Sequence, residues 1–216
     1  GKITTDYALL QLASAPAQAS LKTTVAIAWL RQGQEDKFRA SIDEALKAKA
    51  DHVPALIELV RASAQRGNID EALAGLDKIP RQSSGADEAH KLRGDLLLYG
   101  KRDMDAAMVA YRDALQVNPS YLEGQAAVVQ LLLLQGKTEA AAEALQGLAK
   151  AAPGKPQTLY LQAMLAYAKN DLKAAQEHAQ KLVSLTPENF RALELAGMTE
   201  LRLGANVQAE ALLAKA

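Results

Sequence analysis

Apolar residues return along this chain at a fixed interval. Ala107, Ala141, Ala175 and Ala209 stand 34 residues apart, each within a stretch of helix-forming residues. Pro119, Pro153 and Pro187 keep the same spacing, and so do Gly33 and Gly67. Gly136 and Gly204 are separated by twice that distance, with Asn170 midway. Each mark has a physical use in a repeated pair of helices. The alanine lets two helix axes approach closely where they cross. The glycine, or asparagine as the next best residue, takes the left-handed conformation that closes the first helix. The proline follows the second helix, which it cannot continue.

Six units can be laid out, at about 19–52, 53–86, 87–121, 122–155, 156–189 and an incomplete 190–216. Their helix pairs are expected at 20–32 with 35–49, 53–66 with 69–79, 84–99 with 103–117, 120–135 with 137–151, 155–169 with 171–185, and 188–203 with 205–216. Residues 1–19 are expected to hold one further helix from Thr4 to Ala13, capped by Thr4 or Thr5 and broken at Ser14-Ala15-Pro16. Ser120, with Glu123 behind it, reads as a capping box. Pro156 reads as a first-turn proline, and Thr186-Pro187-Glu188-Asn189 as a capped start. The third unit carries one extra residue between Gly94 and Ala107.

These residues resemble the tetratricopeptide repeat (TPR). At its position 20, usually alanine, the chain has Phe38, Ala72, Ala107, Ala141, Ala175 and Ala209. At the small position 8 it has Ala26, Gly94, Ala163 and Gly197, with Val60 and Val129 departing. At the large position 24 it has Ile42, Leu76, Tyr111, Leu145 and Leu213, with Ala179 departing. The family tryptophan of position 4 is absent, and Trp29 falls at position 11. The resemblance implies an all-α fold, a right-handed superhelix of about six helix-turn-helix repeats. It also implies a concave groove lined by the first helix of each pair, through residues that include Arg31, Arg61, Gln65, Lys91, Tyr99, Leu133, Tyr160, Met164, Tyr167, Met198 and Arg202. The early candidates are basic and polar, and Tyr160, Met164, Tyr167 and Met198 form an aromatic–methionine strip suited to adaptable apolar contact. The carboxylate clamp of chaperone-binding members is not matched: Thr23 and Ile27 occupy its sites in the first unit, and Asp95 follows Lys91 in the third. At finer grain, residues 23–46, 92–115 and 194–216 are similar to the TPR lipoproteins of bacterial exosortase (PEP-CTERM) systems, linked to exopolysaccharide and surface-protein export. That similarity implies a periplasmic or lipid-anchored protein, with a cytoplasmic one as the alternative.

Composition narrows the chemistry. Lys+Arg and Asp+Glu both total 25, so the chain lacks the positive surface that nucleic acid requires. There is no cysteine, which removes disulfides, thiolate metal sites and thiol nucleophiles. His52, His90 and His178 have no partner at metal-ligand spacing and read as solvent-facing. No GxSxG, Walker or GxGxxG pattern occurs. No catalytic residue, cofactor or metal is expected, and the chain is not read as an enzyme. The longest uncharged stretch mid-chain, Gly124 to Gly136, is too short to cross a bilayer. Within it Leu131-Leu132-Leu133-Leu134 covers most of a helical turn, so it cannot all face one side.

The function expected is a non-enzymatic interaction scaffold holding a protein or peptide in its groove, in a bacterial envelope, exopolysaccharide or protein-export system. The alternative is a module for an extended carbohydrate, with Tyr99, Tyr160 and Tyr167 stacking on sugar rings. No secretory signal opens the chain, and Gly1 in place of methionine points to a natural start further upstream. The sixth unit stops at Ala216, inside its second helix, so the natural chain is expected to continue. The apolar end left there invites end-to-end self-association.

Overall fold

A computed structural model of the chain describes residues 14–216, so the helix expected over Thr4–Ala13 lies outside the described residues. All regular structure among the described residues is helical. The chain divides into two compact units, the first ending at Val117 and the second beginning at Asn118.

The first unit contains α1 (Ala15–Arg31), α2 (Glu35–Ala48), α3 (Val53–Gln65), α4 (Ile69–Leu76), α5 (Ala86–Asp95), a π-helical turn (Leu96–Gly100) and α6 (Met104–Val117). Its helices pair in sequence, α1 with α2, α3 with α4 and α5 with α6. The second unit contains α7 (Leu122–Leu134), α8 (Thr138–Ala151), α9 (Pro156–Ala168), α10 (Leu172–Leu185), α11 (Phe190–Arg202) and α12 (Asn206–Leu213), paired in the same way.

The 34-residue marks govern packing within these pairs. Phe38, Ala72, Ala107, Ala141, Ala175 and Ala209 are all at most 1% exposed. Where position 8 is glycine, the large residue at position 24 fills its space. Gly94 faces Tyr111, whose ring occupies the space a Cβ on Gly94 would need. Gly197 faces Leu213, 2.6 Å from where its Cβ would sit. Where the small residue is replaced by Val60 or Val129, a leucine faces it, Leu76 or Leu145, in the same core cluster. The departing Ala179 shares a cluster with Ala163, and there Tyr160, Met164 and Tyr167 fill in from the side.

The turn inside each pair is equally uniform. Gly33, Gly67, Gly136 and Gly204 have φ between 70° and 81°, and Asn170 has φ 62°. The third pair reaches the same conformation with Arg102, at φ 58°. Its extra residue is absorbed just upstream, where Leu96–Gly100 widens into a π-helical turn. One residue inserted in a helix is commonly accommodated in this way, because the i→i+5 turn leaves both flanking faces in register.

Several expected boundaries move. The first helix starts at Ala15 rather than 20, so residues 15–19 belong to α1. Pro16 stands in the first turn of that helix, where its missing N–H costs nothing. The second helix of the second pair ends at Leu76, three residues short of 79, and α12 ends at Leu213 instead of running to 216. The capping box at Ser120 does not form. Ser120 Oγ donates to Asn118 Oδ1 instead, and Tyr121 takes the cap position. Pro156 does stand in the first turn of α9. Thr186 is spent on the carbonyl of Leu182, and Asn189 caps α11 by accepting from Ala192 N at 3.1 Å.

Candidate functional site

The first helices of the pairs carry the candidate residues. In the first unit two of the three cations among them face acids. Arg61 donates to Glu58 at 2.8 Å and also to Glu88 of α5. Lys91 pairs with Asp95 at 2.7 Å, one helical turn on, and Asp95 also accepts from the Tyr111 hydroxyl at 2.9 Å. Burial, and next the Asp95 charge, push the Tyr111 hydroxyl well above the usual phenol range, which keeps it a donor. At Arg61 and Lys91 the expected basic zone is therefore a set of neutralised pairs and not an open positive surface. Arg31 and Gln65 end their helices exposed, and Tyr99, at the π-helical turn, is 59% exposed.

In the second unit Tyr160, Met164 and Tyr167 follow one face of α9, each half-buried. They pack beside Ala163, Ala179, Leu195 and Ala196, the last two on α11. Arg202 of α11 lies over the Tyr167 ring, 4.6 Å from its centroid, and donates to the Tyr167 carbonyl and to Asn170 Oδ1. Met198, one repeat beyond Met164, is 41% exposed. The strip thus divides into a covered part on α9 and an open part on α11. The leucine run divides too. Leu131 and Leu132 are buried, Leu133 packs half-buried against the α7–α8 core, and Leu134 is 48% exposed.

Two clefts open elsewhere in the first unit. One, of about 320 Å³, lies where α4, α5 and α6 meet, lined by Asp77, Arg81, His90, Arg93 and Asp113, with Arg93 bound to Asp77 at 2.6 Å. The other lies between α2, α3 and α4, around Arg39, Asp43, Arg66 and Lys78. None of the groove candidates lines either cleft. Sequence reasoning missed both, because residues separated by 30 or more positions meet there only after the pairs stack.

The histidines correct another expectation. His52 is not solvent-facing but 7% exposed, with no partner for its Nε2. Burial, then the charge of Lys49, hold its pKa below the ordinary histidine value, partly offset by Asp51. His178 is half-buried, its Nδ1 has no partner, and its pKa is likewise lowered by burial, then by Lys181. The inter-repeat turn at 49–52 is short, so its last residue is drawn under the start of α3. Among the described residues no group of three or more His, Asp or Glu is placed to hold a metal ion. No helix of the described residues is long and apolar enough to cross a membrane.

Comparison with known proteins accounts for this architecture. Residues 30–96, and again 93–156 and 160–216, match tetratricopeptide-repeat profiles. The chain belongs to the tetratricopeptide-repeat family, all-helical solenoids that serve as scaffolds for protein and peptide partners. Among solved structures it is similar to PilF of Pseudomonas aeruginosa (TM-score 0.75, 15% identity, covering 93% of this chain and 90% of that one). It is also similar to PilW, described as a widely conserved type IV pilus biogenesis factor (TM-score 0.74, 20% identity, 90% of each chain). MamA of Desulfovibrio magneticus RS-1 matches over 74% of this chain and 90% of its own (TM-score 0.59, 22% identity). At these identities the likeness is one of fold. Among curated proteins, cellulose synthase operon protein C of Pseudomonas fluorescens (strain SBW25) is 26% identical over 168 residues. The match takes in 74% of this chain and spans only 13% of that protein's length.

Proposed function

We propose that this chain is a non-catalytic scaffold that holds a protein or peptide segment along the first helices of its repeats, in a bacterial exopolysaccharide system. The observation that carries the reading is the row Tyr160, Met164 and Tyr167 on α9, half-covered and partly open beside a fixed Arg202. Such a row offers apolar contact with one oriented cation, the combination that binds a short segment with an aliphatic residue and a nearby carboxylate or carbonyl. The exopolysaccharide setting is supported by the similarity to cellulose synthase operon protein C. The exosortase setting rests on the sequence resemblance alone.

The carbohydrate alternative has less support. A sugar ring needs an open aromatic face, and the Arg202 guanidinium already covers one face of Tyr167. The test is selection of a random peptide library on the immobilised protein, followed by titration of the selected peptide. Met164→Glu should abolish binding, and Val109→Glu, exposed on a second helix, should leave it unchanged. If neither variant matters, or if cello-oligosaccharides bind and peptides do not, the reading is wrong.

A further inference from the structure

The second helices α2, α6, α8 and α10 each run for 14 residues, whereas α4 stops after 8. Pro80 supplies the reason. It has no N–H to give to the carbonyl of Leu76, four residues back, and its ring crowds that carbonyl. The helix ends at Leu76, and Ile79 N donates to the Leu76 carbonyl instead, at 3.1 Å. One repeat earlier the place of Pro80 is taken by Leu46, inside α2. The residues withdrawn from α4 join the connector, so nine residues (77–85) lead from α4 to α5, where each other link between pairs has four. This connector is a built turn. Ser83 donates to the Pro80 carbonyl through its Oγ at 2.8 Å and through its backbone N at 3.1 Å. Ala86 N donates to the Ser83 carbonyl at 3.0 Å, and Gly85 has φ 87°.

The connector gives Asp77, Ile79, Pro80 and Arg81 to the wall of the cleft of about 320 Å³ between α4, α5 and α6. All of that wall lies between residues 76 and 113, inside the first unit, with α3 before it and α6 completing it. The floor is aliphatic: Leu76, Ile79, Ala86 and Ala89 are all buried. The rim is charged. Arg93 and Asp77 are bound to each other and cancel. Arg81 on the connector and half-buried Asp113 on α6 line the same cleft, yet neither has an ion-pair or hydrogen-bond partner among the described residues. One open cation and one open acid thus share a cleft without reaching each other.

A ligand for this cleft has to satisfy both. A plain anion would find Arg81 but also the carboxylate of Asp113, and a plain cation would find Asp113 but also Arg81. A molecule carrying an ammonium and a carboxylate meets each with its opposite, in charge-assisted hydrogen bonds. The aliphatic floor suits an apolar side chain. The volume stands at the lower end of small-molecule pockets, so the ligand is small. We propose that this cleft binds a free α-amino acid with an aliphatic side chain, its carboxylate on Arg81, its ammonium on Asp113 and its side chain over Leu76 and Ile79. The hydrogen-bonded connector holds Arg81 in place beforehand, which lowers the cost of binding. The site is separate from the row on α9 and does not rest on peptide binding there.

L-leucine titrated into the isotope-labelled 216-residue chain tests this by amide chemical shifts. Saturable changes should gather at residues 79–82, 90 and 113. L-leucinamide, which lacks the carboxylate, and N-acetyl-L-leucine, which lacks the ammonium, should each bind about tenfold or more weaker, since each loses a bond to a charged group. Arg81→Gln should weaken leucine by a similar factor and leave leucinamide as it was. Asp113→Asn should weaken leucine and leave N-acetyl-leucine as it was. That crossed pattern is one that mere loosening of the fold does not produce. Arg81 is exposed, so its variant stays folded and carries the test even if Asp113→Asn does not. Absence of saturable shifts at these residues, equal binding of the three compounds, or leucine binding unchanged in Arg81→Gln would each overturn the proposal.

Discussion

At the scale of single residues, two backbone and packing choices can be tested directly. Arg102 holds the left-handed conformation that glycine takes in four of the other pairs. A side chain there costs energy that glycine avoids. Arg102→Gly should therefore stabilise the protein by about 0.5–1 kcal/mol in denaturant unfolding. Gly94 and Tyr111 form a matched pair of small and large. Gly94→Ala should cost about 1–3 kcal/mol by overpacking, and adding Tyr111→Leu should recover part of it. His52 supplies a pH dependence. Its pKa is lower in the folded chain than in the unfolded one, so between those values the unfolded chain binds more protons. Stability is then complete above about pH 6.5 and is lost as the pH falls below it. His178 adds to the same trend. The melting temperature should fall between pH 7.5 and 5.5, and His52→Gln should reduce the fall; an equal fall in the variant would exclude His52 as a source.

At the scale of the element, the π-helical turn explains how one extra residue coexists with an otherwise strict period. Leu96 and Leu98 stay buried, and Tyr99 is exposed. Deleting Tyr99 removes the insertion and should return the segment to regular α-helix. The variant should unfold cooperatively with an unchanged helical spectrum. Deleting one residue from α7, which has no surplus, should rotate Ala126 and Val129 out of the core and abolish cooperative folding. Helix caps were legible only in part. Pro156 acts as the sequence suggests, but Ser120 does not cap, because Asn118 Oδ1 captures its hydroxyl two residues away. Local side-chain competition of this kind depends on turn geometry that spacing does not specify.

At the scale of the whole molecule, burial is uneven along the repeats. The last helix, α12, buries only Ala209 fully. In dilute solution, amides of residues 209–216 should therefore exchange far faster than those of 107–150. Equal exchange in the two segments would contradict this.

The sequence by itself determined the repeat. Period, small residues at helix crossings and left-handed turns are local or strictly periodic constraints. Steric exclusion at Ala141 or Gly136 acts the same way wherever the unit sits in the stack, so both were readable without a structure. What only the tertiary structure decided is which polar and apolar side chains remain available. Arg61 looks like a free cation in sequence but is also bound by Glu88 from the next pair. Tyr167 looks like an open ring but lies under Arg202, which is 35 residues away. Met164 and Met198 occupy the same place in the repeat, yet one is half-covered and the other open, because among the described residues only the first has a following helix pair. Exposure and charge pairing are properties of the neighbour across the stack, and a residue's own repeat position carries no record of whether that neighbour is there.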